Sequence, residues 1–150
     1  MKKPITVLMV AVFLMVAAGV ASATEFGSRE QAKAMLERAI AVLKADKDRA
    51  LDLFTSGHGG FIDRDLYVFC GGPDGMVTAH PYFMGFKLRD FKDKTGKAVG
   101  EEVYATAKEG AISEVSYKWL QPGGGDEQVD KVSLYTKVDD QVCGVGFYPQ

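Results

Sequence analysis

Two hydrophobic rhythms divide the chain. Between residues 28 and 56, apolar side chains recur at three- and four-residue spacing: Ala32, Met35, Leu36, Ala39, Ile40 and Leu43, then Leu51 and Phe54. That spacing lines one face of a helix. Ser28 and Gln31 form an S-x-x-Q capping box, in which each side chain satisfies a backbone N–H that the helix start leaves unpaired. A charged segment, 45–49, interrupts the apolar face, so the pattern predicts one long helix or two with a kink near Asp46. Gly57, Gly59 and Gly60 end it.

From Phe61 the period shortens to two. Runs at 66–70 and 76–80 flank Gly71-Gly72-Pro73-Asp74-Gly75, a turn cluster that predicts a hairpin. A short helix is expected at 101–108, stopped by Gly110. Strands follow at 112–120, 129–138 and 141–148, with turns at 121–125 and 139–140. Runs of helix and then of neighbouring strands give an α+β fold: a long N-terminal helix packed on an antiparallel sheet of about five strands.

The residues between 81 and 100 fit neither rhythm. They carry Tyr82, Phe83, Phe86 and Phe91 and are punctuated by Gly85 and Gly96. A connection of this length without structure of its own marks a binding loop or lid. In the strand at 129–138, Val132, Leu134 and Val138 fall on one face, and Lys131, Ser133, Tyr135 and Lys137 on the other. Val115, Tyr117 and Trp119 likewise share a face of the preceding strand. The helix can cover only one side of the sheet, so the aromatic loop is expected to cover the other. A small space lined by rings would remain between them, the usual form of a ligand site.

Composition changes the setting rather than the fold. Lys2 and Lys3 precede an apolar run from Ile5 to Val20 that ends in Ala21-Ser22-Ala23, the pattern of a secretory signal peptide cleaved after Ala23. The alternative is an uncleaved N-terminal membrane anchor. Cleavage would leave a single domain, 24–150, with 16 basic against 20 acidic side chains. With no basic stripe to neutralise phosphates, a nucleic-acid partner is not expected. An exported chain is periplasmic or secreted, where Cys70 and Cys143 could pair as a disulfide; otherwise they are small buried residues of strands.

Four kinds of side chain could serve the space under the loop. Lys131 could draw an anion, against the plainer role of a solvated strand lysine. Tyr117 and Trp119 offer apolar walls and a directed donor, against core packing. Tyr82 and Phe86 belong to the lid. His80 ends its strand and is held extended by Pro81. It could meet an anion as a cation, accept a hydrogen bond, or simply tie the loop to its own backbone. Two distant histidines and no thiolate pair at ligand spacing give no basis for a metal. No cofactor is expected. An enzyme built around His80 would need a carboxylate such as Asp90 or Asp93 beside the imidazole, and no nucleophile motif is present.

Several short runs, in order, resemble the single Cache domain, an extracytoplasmic small-molecule sensor module with a PAS-like sheet. They are Gly60-Phe61-Ile62-Asp63 before Leu66-Tyr67-Val68-Phe69, then Pro73-Asp74-Gly75, Ala79-His80-Pro81, Gly85 and Asp93-Lys94-Thr95-Gly96-Lys97. Tyr117-Lys118-Trp119, Pro122, Lys131-Val132-Ser133-Leu134-Tyr135 and Gly144-Val145-Gly146-Phe147-Tyr148 continue the series. The resemblance implies a ligand held between sheet and loop, commonly a small organic acid, with His80, Tyr82, Phe86, Tyr117, Trp119, Lys131 and Tyr135 as its contacts. It implies a binding module rather than an enzyme; the receptors that use this module continue into a membrane helix and a signalling domain, and in departure from them this chain is expected to be a stand-alone exported form without its own signalling output. A membrane receptor or another periplasmic protein would then be the partner. The competing reading is an interaction module with a vestigial pocket, presenting Tyr82, Phe83 and Phe86 to another protein.

Overall fold

A computed structural model of the protein describes residues 26–121 and 125–150; the expected signal peptide and the middle of the 121–125 turn lie outside the described residues. The capping box forms as the sequence predicts. Ser28 Oγ accepts the Gln31 N–H, and Gln31 Oε1 accepts the Ser28 N–H. Helix α1 then runs Arg29–Ala45 and α2 runs Lys47–Ser56. Asp46 separates them by working in both directions: its backbone N–H closes α1 on Val42, and its carboxylate accepts the Arg49 N–H to start α2. Gly57, at φ 73°, ends α2 in the left-handed conformation that a Cβ disfavours.

Six strands follow: β1 Ile62–Asp63, β2 Leu66–Gly71, β3 Val77–Ala79, β4 Ser113–Leu120, β5 Gln128–Val138 and β6 Gln141–Phe147. They pair antiparallel in the order β1-β2-β6-β5-β4, and β3 also pairs with β2. The fold class is thus α+β, with the sheet reached by the last strand inserting between the second and the fifth. Between β3 and β4 lies helix α3, Val99–Thr106, two residues earlier than the predicted 101–108. Gly100 explains the difference. It reads as a loop residue, but a Cβ there would meet the Leu88 carbonyl oxygen at 2.0 Å, so it lets the first turn of α3 sit against the short turn Leu88–Asp90.

The helix-side cover falls as predicted, whereas on the other face a helix shares the covering that the sequence assigns to the aromatic loop alone. Leu66, Val68 and Cys70 of β2, Leu134 and Val138 of β5 and Cys143, Val145 and Phe147 of β6 pack under α1 and α2. On the opposite face, α3 and the preceding loop cover Val115, Tyr135 and Val142. Cys70 and Cys143, direct partners across β2 and β6, are joined by a disulfide within the first core.

Candidate functional site

The second face of the sheet is not covered uniformly. Near the β4–β5 end, a hollow of about 360 Å³ opens between Asp65, Tyr67, Tyr82, Phe83, Trp119 and Tyr148. That is toward the lower end of the size range of small-molecule sites, and its walls are largely aromatic. Strand register builds it. Tyr67 alternates with the core residues Leu66 and Val68; Trp119 lies two residues beyond Tyr117, which faces Lys131 across the β4–β5 ladder.

Lys131 lies behind these rings and is 1% exposed. Its ammonium sits 4.6 Å from the Tyr67 ring centre, 4.9 Å from that of Tyr148 and 6.0 Å from that of Trp119, and Nζ donates to Tyr67 Oη at 3.2 Å. Among the described residues it forms no ion pair with a carboxylate. Burial therefore lowers its pKa to about 8, partly opposed by the more distant charge of Asp65. Against the ordinary lysine value that shift corresponds to roughly 3 kcal/mol of unfavourable charge burial. The stem has room because position 146 of β6 is glycine: a Cβ there would meet Lys131 Cε at 2.5 Å.

His80 is also buried, at 6% exposure, and its Nδ1 is engaged by the lid backbone. Nδ1 accepts the backbone N–H groups of both Tyr82 and Phe83 at 3.1 Å, so the neutral ring carries its proton on Nε2. Burial, with Lys131 as a second cause, lowers its pKa to about 4. Of the roles the sequence leaves open, this arrangement favours a neutral ring that ties the start of the lid to its own backbone over an imidazolium meeting an anion. Tyr82 then stands edge-on to Tyr67 at 5.3 Å, and Phe83 edge-on to Trp119 at 6.0 Å.

The remaining expected residues divide. Trp119 and Tyr82 line the hollow. Tyr117 supports it from beneath: its hydroxyl lies 2.9 Å from Ser133 Oγ, its ring packs on Phe91 and Trp119, and burial raises its pKa to about 12. Tyr135 shares the face of Lys131 but does not reach the hollow, because it is drawn under α3, with its hydroxyl 2.7 Å from Thr106 Oγ1. Phe86 is also absent from the walls; its carbonyl is taken by the Val77 N–H, which fixes the loop further along. Asp93 is committed elsewhere. It accepts from the N–H and hydroxyl of Thr95 and from the N–H groups of Lys97 and Lys118, which hold its carboxyl down to about 2 and clamp the loop to β4.

Asp65, Tyr67 and Tyr148 went unrecognised in the sequence. Tyr67 and Tyr148 had a usable signal, since each alternates with a residue of the helix-side core. Asp65 had none, because an Arg-Asp pair between apolar runs reads as a solvated turn. A larger groove of about 470 Å³ lies by the β5–β6 turn, but Arg89, Lys137, Asp139 and Asp140 on its walls are exposed. The enclosed ammonium makes the smaller hollow the better candidate. Among the described residues no cluster of metal-ligating side chains is found.

Comparison with known proteins agrees with this fold. The chain is similar in fold to a methyl-accepting chemotaxis protein from Vibrio parahaemolyticus RIMD 2210633, with TM-score 0.62 and 22% identity over 79% of this chain and 86% of that one. It is similar to a Cache chemosensory domain whose structure was solved as a basis for carboxylic acid recognition, with TM-score 0.59 and 22% identity over 81% and 88%. A periplasmic sensor domain of a chemotaxis protein gives TM-score 0.60 and 22% identity over 81% and 90%. No curated protein sequence matches significantly. The family model of single Cache domain 2 matches residues 8–149, and the chain, matched over nearly its whole length, belongs to that family.

Proposed function

We propose that this protein is an extracytoplasmic binding domain that captures a short carboxylate in the hollow bounded by Tyr67, Trp119 and Tyr148. The observation that carries this reading is the buried ammonium of Lys131, which lacks a carboxylate partner of its own among the described residues. A ligand carboxylate would supply that charge in a low-dielectric setting, where the attraction far exceeds its value in water. Tyr67 supports the same role, since its oxygen accepts from Lys131 and leaves its own O–H to donate. The apolar part of the ligand would lie against Trp119, Tyr82 and Phe83.

In this reading the chain is exported, residues 1–23 are removed, and the bound form is presented to a membrane receptor or another extracytoplasmic protein. No helix among the described residues is long and apolar enough to cross a membrane. Binding rather than catalysis is favoured because His80 spends its acceptor nitrogen on the lid and Asp93 spends its carboxylate on the loop. A thermal-shift screen of purified 24–150 against short organic acids tests the proposal, because a ligand that binds only the native state raises its melting temperature. A rise with at least one class of acids is expected; a flat response across the series would refute it.

One observation favours a second reading. Tyr82, Phe83 and Met84 are 59%, 43% and 53% exposed, a contiguous apolar patch suited to contact with another protein. If that contact were the function, Tyr82→Ser with Phe83→Ser would abolish partner capture while no acid shifted the melting temperature.

A further inference from the structure

The β1–β2 turn brings a carboxylate to the hollow that an anion site does not need. Asp65 follows Arg64, which takes a left-handed φ of 56° in the two-residue connection, and is itself 7% exposed. Its Oδ1 accepts the Gly27 N–H at 2.5 Å. Its Oδ2 is enclosed and, among the described residues, meets no hydrogen-bond partner. Buried carboxylate oxygens are nearly always paired, because an unpaired one keeps the full penalty of leaving water. Asp65 lines the same hollow as Tyr67 and Tyr148, whose rings flank the Lys131 ammonium. The hollow is thus lined by aromatic rings with Arg64 and Asp65 on its wall, and the Lys131 ammonium lies directly behind the rings of Tyr67 and Tyr148.

Building on the carboxylate reading above, we propose that the ligand carries a hydrogen-bond donor, a hydroxyl or an ammonium, in addition to its carboxylate. The carboxylate takes Lys131 Nζ and the Tyr67 O–H, and the donor takes Asp65 Oδ2. A plain fatty acid would satisfy the first pair and leave Oδ2 buried and unpaired. A site built to accept a hydrogen bond discriminates against analogues that lack the donor, so Asp65 sets specificity where Lys131 sets affinity.

Calorimetric titration of the wild-type protein with matched acids tests this. Propanoate is compared with 2-hydroxypropanoate and 2-aminopropanoate, and butanoate with 3-hydroxybutanoate and 4-aminobutanoate. In at least one set a donor-bearing acid is expected to bind about tenfold or more tighter than its parent. Asp65→Asn keeps an oxygen for Gly27 but can place an NH₂ at the second position. It should erase that preference, bringing each donor-bearing acid to within about twofold of its parent, whatever the parent's own affinity becomes once the Asp65 charge is gone. Parents that bind as tightly as their donor-bearing forms, or a preference that survives Asp65→Asn, would overturn the assignment of Asp65 while leaving the carboxylate site standing. Binding of no acid at all would overturn both. The wild-type comparison is decisive even if the variant fails to fold.

Discussion

Lys131 donates to the hydroxyl of Tyr67 across 3.2 Å, with both side chains buried and, among the described residues, no carboxylate completing the pair. A core selected for stability alone would not keep such an ammonium, since a neutral side chain of similar length fills the same space without the desolvation penalty. Lys131→Met is therefore expected to raise the unfolding free energy by about 1–3 kcal/mol, read from the urea midpoint. The same variant should lose all response to organic acids. A gain in stability with loss of binding is the signature of a group retained for function.

Gly146 tests the geometry from the other side. Gly146→Ala places a methyl group 2.5 Å from Lys131 Cε, and the flexible end of the lysine, rather than backbone, must yield. A stability loss of about 1 kcal/mol is expected, with carboxylate affinity falling well beyond that fraction. Gly144→Ala is the control. Its Cβ would meet the Phe69 ring at 2.6 Å and the Leu134 carbonyl at 2.8 Å, so it should destabilise by about 1–3 kcal/mol. Denaturation and titration on both variants separate the two effects.

The neutral His80 gives a pH dependence with a definite sign. Its pKa is about 4 in the folded protein against 6.5 in the unfolded chain, which therefore binds the extra proton between those values. The stabilising contribution is complete above pH 6.5, declines as pH falls toward 4, and is spent below that. The full effect is about 3 kcal/mol. His80→Asn retains an oxygen able to accept the Tyr82 and Phe83 N–H groups but does not titrate. The difference in unfolding free energy between wild type and variant should therefore shrink or reverse from pH 6.5 to 4.

The disulfide between Cys70 and Cys143 closes a loop spanning 73 positions. In the chain-entropy account such a link stabilises by about 2–4 kcal/mol, chiefly by restricting the unfolded state. Cys70→Ala with Cys143→Ala should lower the denaturation midpoint by a corresponding amount, whereas acid binding should persist because both sulfurs lie on the helix side of the sheet.

Much of this architecture is legible in the residues. The S-x-x-Q box at Ser28, the break at Asp46 and the alternation that puts Lys131 opposite Leu134 all follow from local rules and recur in the structure. The site is only half legible, because alternation tells which face a side chain takes but not how far along the strand the cover extends. Tyr135 thus shares the face of Lys131 and still packs under α3. His80 shows the same limit: Pro81 held it extended, but whether its nitrogen would meet ligand or lid backbone depended on the path of residues 82 and 83. Asp65 was invisible for a different reason, since its burial arises from the N-terminal segment at Gly27 folding onto a distant turn.

The central claim is that the charged ammonium of Lys131 holds the carboxylate of the ligand. Its most direct test is the binding constant of the tightest acid, measured by calorimetry from pH 6.5 to 9.5 on wild type and on Lys131→Met. Because the free lysine titrates near 8, affinity should be level up to about that pH and then fall by up to about tenfold per unit, and Lys131→Met should show no binding at any pH. An affinity that stays constant through pH 9.5, or that survives in Lys131→Met, would contradict it.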